Sequence, residues 1–334
     1  MTNPVLVEVS RGGEPESRHR GAVAVFDAEG KVVLSIGDID APIYPRSAVK
    51  AMQALPLVES GAADHYGFGN RELALACASH GGEPGHVELV KEMLAKAGLS
   101  EHDLECGVHW PSDHKVLVAL ASSGGTPGPA HNNCSGKHAG FICTMCHEGV
   151  DPAGYVGPGH KAQQNVRAVM AEITGFAHSA DHCGTDGCSI PAYAVPLKNL
   201  AQGFAKMGSG TGFAPERAKA AKRLLTACMA EPWLMAGTGF ADTRLIEAGK
   251  GKVFVKGGAE AVHCGAIPSL GLGIALKCDD GGARASDVMI AAVLARLMAK
   301  DEVLAEAYRR AAKKVLKNWN GMVVGKVKAV GELG

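Results

Sequence analysis

The sequence predicts an α+β protein, with an antiparallel sheet built from both chain ends and a long helical middle. Three observations carry this. Apolar runs of strand length stand near the N-terminus, from Val5 to Ile36, and again from Lys252 to Lys277. Between them the apolar residues recur at helical spacing. No Pro/Gly-rich or charged linker divides the chain, so residues 1–334 read as a single domain with a helical lobe.

Taken in order, Val5 to Val9 and Ala22 to Phe26 read as strands. Asp27-Ala-Glu-Gly30 is a turn that returns the chain into a third strand, Val32 to Ile36. The period then changes. Ala48, Met52, Leu55 and Leu57 follow Pro45 and Ser47 at roughly helical spacing. Arg71 to Cys77 and Val87 to Ala97 are helical, separated by the loop Ser79 to Gly85. Lys115 to Leu120, Lys137 to His147, Ala162 to Thr174 and Glu216 to Ala230 follow as helices, and Ser122 to Asn133 is a loop. After residue 250, Lys252 to Lys256, Glu260 to Ala266 and Leu272 to Lys277 read as strands. Helices are predicted over Asp287 to Met298 and Glu302 to Lys314, and a last strand over Gly321 to Lys328. Gly208-Ser-Gly-Thr-Gly212 lacks a preceding strand and a Walker-type lysine, so it is a loop and not a nucleotide cradle.

Composition narrows the function. The 34 basic and 34 acidic residues cancel, which argues against a nucleic-acid binder, because neutralising phosphates leaves an excess of Lys and Arg. A hydrophobic fraction of 46% excludes disorder as the main state. No window approaches the ~18 uninterrupted apolar residues of a membrane span. Met1 to Gly12 has no basic cap followed by an apolar run, so a cytoplasmic location is expected. There the ten cysteines stay reduced, and most are expected to be buried thiols. Cys77, Cys143, Cys146, Cys228, Cys264 and Cys278 fall in apolar helix or strand patterns. Cys143-Thr-Met-Cys146-His147 matches the c-type haem attachment pattern, but its place in a helical pattern reads as packing.

The chemistry begins at Pro45-Arg46-Ser47-Ala48-Val49-Lys50. Residues i and i+3 share a helix face, so Ser47 and Lys50 can meet. A serine hydroxyl needs a base, and lysine is one when burial or nearby positive charge keeps its amine neutral. Unpaired N–H groups at a helix start can hold an oxyanion. Two further elements strengthen the pattern: Ser79 at a helix–loop junction, and Lys256-Gly257-Gly258 at a strand end. The serine β-lactamase and penicillin-binding superfamily uses such a trio in this order, although here the third element is Lys-Gly-Gly and no Ser-Asp-Asn box occurs.

With these residues in hand, the chain resembles the bacterial asparaginase II family, the rhizobial-type L-asparaginases. The resemblance spans nearly the whole chain. It rests on Pro-Arg-Ser-Ala-Val-Lys at 45–50, Ala-Ser-His at 78–80, His-Asn-Asn-Cys-Ser-Gly-Lys-His at 131–138, Asp-Gly-Cys-Ser-Ile-Pro at 186–191 and Lys-Gly-Gly-Ala-Glu at 256–260. It implies the serine β-lactamase-like fold and hydrolysis of L-asparagine to L-aspartate and ammonia. It also implies two Ser–Lys pairs, Ser47 with Lys50 and Ser79 with Lys256, and a homodimer. The reaction would be acyl transfer: Ser47 attacks the side-chain amide, ammonia leaves, and water cleaves the aspartyl ester. For a zwitterionic substrate, Asp186 is the candidate for the amino group and Arg46 for the carboxylate.

The same resemblance places zinc on Cys134, Lys137 and Cys188. Spacing alone leaves His138, His182 and Cys183 as candidates, because lysine binds metal only when deprotonated. A structural or affinity-tuning role for zinc is expected, since Ser and Lys suffice for the chemistry. The alternatives are a glutaminase, another Ser-x-x-Lys amidase or β-lactamase-like hydrolase, and a non-catalytic zinc-binding regulatory protein on the same fold.

Overall fold

The computed structural model describes residues 2–334, in two compact units. One comprises residues 2–48, Val195–Lys206 and Leu245–Gly334; the other comprises Val49–Ala194 and Met207–Arg244.

The first unit is the sheet. Its N-terminal stretch gives β1 (Val5–Arg11), β2 (Glu14–Asp27) and β3 (Val32–Ile36). Its C-terminal stretch gives β4 (Phe254–Gly258), β5 (Val262–Ile267), β6 (Leu272–Cys278), β7 (Lys313–Lys317) and β8 (Val323–Ala329). The strand order is β7-β8-β1-β2-β6-β5-β4, with β3 alongside the second half of β2, and every pair is antiparallel. Val7 opposite Ala329 joins the two chain ends, as the α+β reading expects. The run Ala22 to Phe26 is buried throughout because the sheet is covered on both faces, by Met289 of Ala283–Leu297 against Gly21 and by Ala201 to Ala205 against Gly273, the partner of Phe26. That is why it reads as a continuous apolar run and not as an alternating one. The helix Ala283–Leu297 packs on β1, β6 and β8 and buries Val288 to Ala295.

The second unit is helical. Its main helices are α1 (Lys50–Gln53), α2 (Asn70–Ala76), α3 (Pro84–Lys96), α4 (His114–Ser122), α5 (Ser135–His147), α6 (Lys161–Thr174) and α7 (Pro215–Ala230). The central helix is α5, packed by α2, α3 and α6, with every residue from Ser135 to Met145 buried. A helix covered on all sides belongs to a core. Gly136 permits the closest approach: a Cβ there would lie 2.3 Å from the Leu75 carbonyl oxygen.

Three readings need correction. The helix predicted to Lys314 stops at Ala311, and Lys313–Lys317 is strand β7. Lysine and leucine are good helix formers, so propensity continues the helix where cross-strand pairing to β8 decides otherwise. The single helix read after Ser47 is broken into a 3-10 turn (Arg46–Val49), α1 and a further helix at Leu55–Glu59 with Pro56 in its first turn. The helices Leu197–Ser209 and Ala241–Gly249 were not read from the sequence. Among the described residues, no helix is long and apolar enough to cross a membrane.

Candidate functional site

In the sheet unit, Ser47 sits in the 3-10 turn Arg46–Val49, closed by the Ala48 N–H donating to the Pro45 carbonyl at 3.1 Å. Arg46 holds a left-handed φ of 50°, a strained conformation for a residue with a Cβ. The end of β4 presses against this turn. A Cβ on Gly258 would lie 2.6 Å from the Pro45 carbonyl oxygen and 3.0 Å from the Ala48 nitrogen. The last glycine, which Lys-Gly-Gly shares with Lys-Thr-Gly, therefore has a steric use: Gly258 lets the strand carrying Lys256 come onto the turn carrying Ser47. Lys256 is buried and donates from Nζ to the Gly257 carbonyl at 2.8 Å.

In the helical unit, Lys50 is fully buried. Its Nζ reaches the Ser79 hydroxyl at 3.0 Å, the Asn133 carbonyl at 3.4 Å and the Ala78 carbonyl. Ser79 follows α2 and is half-buried, with its backbone N–H donating to the Met235 carbonyl at 3.0 Å. Lys50 thus touches the serine that the resemblance pairs with Lys256. Beside Ser79, the buried His80 donates its backbone N–H to the Asn133 carbonyl at 3.3 Å. Its Nδ1 accepts from the Gly82 N–H at 3.2 Å, so Nε2 carries the proton and donates to Ser135 Oγ at 2.9 Å. Ser135 in turn donates to the Ala130 carbonyl. Burial, then the charges of His86 and Lys50, hold His80 well below the ordinary imidazole range.

Cys134, Lys137 and Cys188 converge. Cys134 immediately precedes α5, and Lys137 lies in its first turn. Cys188 is turned inward by a tight loop, in which the Asp186 N–H donates to the Ile190 carbonyl and Ser189 adopts a φ of 74°. Lys137 Nζ donates to Cys188 Sγ at 3.1 Å, and the two thiols share a hydrogen bond. All three side chains are buried. That bond from Cys188 holds Cys134 well below the usual thiol range against the opposing effect of burial, with Lys50 and Lys137 helping. The Cys188 pKa is raised by its bond to Cys134 and by burial. Burial lowers the Lys137 pKa, but Cys134, Cys188 and Asp186 together outweigh it and raise the value. Two soft sulfurs and one nitrogen, with Cys188 bonded to both of the others, are a donor set that suits a zinc-like ion. His138 is committed elsewhere: its Nδ1 lies 2.7 Å from the Tyr155 hydroxyl. Cys183 is half-buried, bonds its own neighbour's carbonyl and takes no part in the cluster's hydrogen bonds.

Of the thiols read as core, Cys77, Cys143, Cys228, Cys264 and Cys278 are buried, while Cys146 is half-exposed. Cys143 donates to the Met93 carbonyl, and burial pushes its pKa up to about 12. A second cluster, His19, Cys278 and Asp280, brings its ligand atoms within 4.8 Å of one another. Arg284 Nε donates to His19 Nε2, so Nδ1 carries the proton that bonds Asp280 at 2.6 Å. A metal on Nδ1 would need the opposite tautomer, with two N–H groups facing each other; the cluster is a hydrogen-bond network.

Sequence reasoning missed Asn133 and Ala78 as backbone acceptors for Lys50, and His80 as a brace beside Ser79. All three lie inside the motifs at 78–80 and 131–138. Backbone acceptors leave no signature in residue type, whereas His80 beside Ser79 could have been singled out.

A family model described as L-asparaginase II matches residues 7–329. No curated protein matches the chain significantly. Among solved structures, a crystal structure of Mglu in its glutamate form aligns with a TM-score of 0.47 and 14% identity, over 86% of this chain and 61% of that one. Mglu in its native form aligns with a TM-score of 0.42 and 16% identity, over 84% and 64%. The D-alanine carboxypeptidase AmpC from Burkholderia cenocepacia aligns at 0.34 and 12%, over 86% and 93%. The chain therefore spans under two thirds of the length of these two Mglu chains.

Proposed function

The chain belongs to the L-asparaginase II family, and from that premise we propose that it is an amidohydrolase converting L-asparagine to L-aspartate and ammonia by Ser–Lys acyl transfer. The observation that carries this reading is the contact between the buried Lys50 Nζ and the half-buried Ser79 Oγ at 3.0 Å. A lysine in a dry site is a competent base, and a serine hydroxyl within hydrogen-bond reach is the proton it would take or return. Ser47, on its strained turn, and Ser79 are the two serines available for attack. In the reading carried from the motifs, Lys50 takes the hydroxyl proton as Ser47 attacks the amide, Ser79 and Lys256 deliver a proton to the departing ammonia, and Ser47 is left as the aspartyl ester. Water then cleaves the ester. Arg46 is proposed to take the substrate carboxylate and Asp186 its ammonium group, on charge alone.

Cys134, Lys137 and Cys188 are proposed to hold a zinc ion, and their convergence supports it. When bound, the ion supplies a fixed double positive charge that anchors the start of α5 and tunes substrate affinity. The protein is proposed to be cytoplasmic and to work as a homodimer.

The test is ammonia release from asparagine and from glutamine, with Ser47→Ala and Ser79→Ala beside the wild type. Preferential release from asparagine, lost by at least about a hundredfold in each variant, supports the reading. Preference for glutamine turns it into a glutaminase. No release from either amide, with one zinc bound, turns it into a non-catalytic zinc protein.

A further inference from the structure

We propose that the groove between α3 and α4 is the face through which two copies of this chain associate, about a two-fold axis that lays α4 of each copy into the groove of the other. This rests on the homodimer proposed above and is independent of the amidase chemistry.

The anomaly is α4 itself. It carries six consecutive apolar residues, Val116 to Ala121, and buries none of them. Its start is well formed, since the Asp113 carboxylate accepts from the Lys115 and Val116 N–H groups at 2.9 and 3.0 Å. A helix this apolar is ordinarily covered. Nearby, Val108 and Trp110 are 53% and 43% exposed, and Val118 is 45% exposed. Among the described residues of the helical unit, these are all of the large apolar side chains left exposed.

Between α4 and α3 lies a groove of about 1040 Å³, walled by Val116, Ala119 and Leu120 on one side and by Val87 and Ala95 on the other. A helix of nine residues, ~13 Å long and ~10 Å across, occupies on the order of 1000 Å³. The groove is therefore of the size of α4.

Charge selects the occupant. Glu88 and Glu92 line the α3 wall one turn apart, and Lys115 stands at the start of α4. Among the described residues none of the three is in an ion pair, whereas Lys91 between them is committed to Glu101 at 2.8 Å. A two-fold interface must be complementary to itself. This face carries a ridge and a groove of matching size, and a cation and anions to match. Two free carboxylates against one free lysine disfavour an anionic membrane as the occupant.

Sedimentation velocity at micromolar concentration tests this. The wild type is expected to be a dimer. Lys115→Glu alone and the double variant Glu88→Lys/Glu92→Lys alone are each expected to weaken it by at least about tenfold, because like charges then meet twice per dimer. A one-to-one mixture of the two variants is expected to dimerise again, since both contacts in the mixed pair become opposite in sign. Leu120→Glu, checked for an unchanged circular dichroism spectrum, is expected to give monomer. A monomeric wild type overturns the proposal. So do variants that stay dimeric, which would leave the dimer intact and move its face elsewhere. A mixture that stays monomeric overturns it as well. Ammonia release by the same variants reports separately on the amidase reading.

Discussion

Lys50 Nζ lies 3.0 Å from Ser79 Oγ and also reaches the carbonyls of Asn133 and Ala78. Of these three oxygens around the buried nitrogen, the hydroxyl is the one able to exchange a proton. Lys50→Met keeps the length of the side chain and removes the nitrogen. It is expected to lower kcat for asparagine by about 10² to 10⁴. Lys50→Arg is expected not to rescue, because a guanidinium stays protonated and cannot act as the base. Steady-state ammonia release settles this; activity within tenfold of wild type in Lys50→Met would remove Lys50 from the reaction.

His80 is a positioning residue. Its ring spans from the loop carrying Ser79 to Ser135 at the start of α5. His80→Gln can keep an N–H donor to Ser135, and His80→Ala cannot. The expectation is a kcat loss in His80→Ala with KM little changed, and partial recovery in His80→Gln. Ser135→Ala combined with His80→Ala is expected to cost less than the sum of the two single losses, because the two variants share one lost bond. Equal losses in the Gln and Ala variants would show that the ring's bulk matters and its hydrogen bond does not.

Two glycines set close approaches that no larger residue allows. Gly136→Ala places a methyl against the Leu75 backbone, and Gly258→Ala places one against Pro45 and Ala48. Backbone cannot turn aside as a side chain can, so each is expected to cost about 1–3 kcal/mol in urea unfolding. Gly258→Ala is further expected to lower activity out of proportion to its loss of stability, since it pushes β4 off the turn that carries Ser47. A stability cost without a separate activity loss would show the packing to be merely structural.

How much of this was legible beforehand depends on the kind of interaction. The sheet could be read because β2 and β6 announce burial in residue type: Ala22 to Phe26 is apolar without interruption. β7 could not, because Lys313 to Lys317 has helical propensity, and its strand state comes from pairing with β8, a contact that is local in space only. The meeting of Cys134, Lys137 and Cys188 came from resemblance, since fifty residues separate the last two and no spacing rule joins them. The bond from Lys50 to Ser79 was likewise hidden: i, i+3 spacing pointed to Ser47, and the partner that geometry supplies arrives from the end of a different helix.

Stability should fall on mild acidification, and the buried histidines say why. His80 and His138 are both fully buried and held well below the ordinary range, by burial first and then by neighbouring basic groups, His86 and Lys50 for His80 and Lys137 and Lys50 for His138. In the unfolded chain each takes a proton near pH ~6.5. Below that value the unfolded state binds more protons than the folded one, so acid favours unfolding, and stability rises with pH until the unfolded histidines are neutral. Each contributes a slope of up to about 1.4 kcal/mol per pH unit between its folded value and ~6.5. Urea unfolding of wild type and His138→Gln at a series of pH values from 5.5 to 7.5, roughly the window of imidazole titration, isolates one of them. The variant is expected to lose part of the slope whatever its absolute stability, because glutamine does not titrate. An unchanged slope would mean that His138 is protonated in the folded protein.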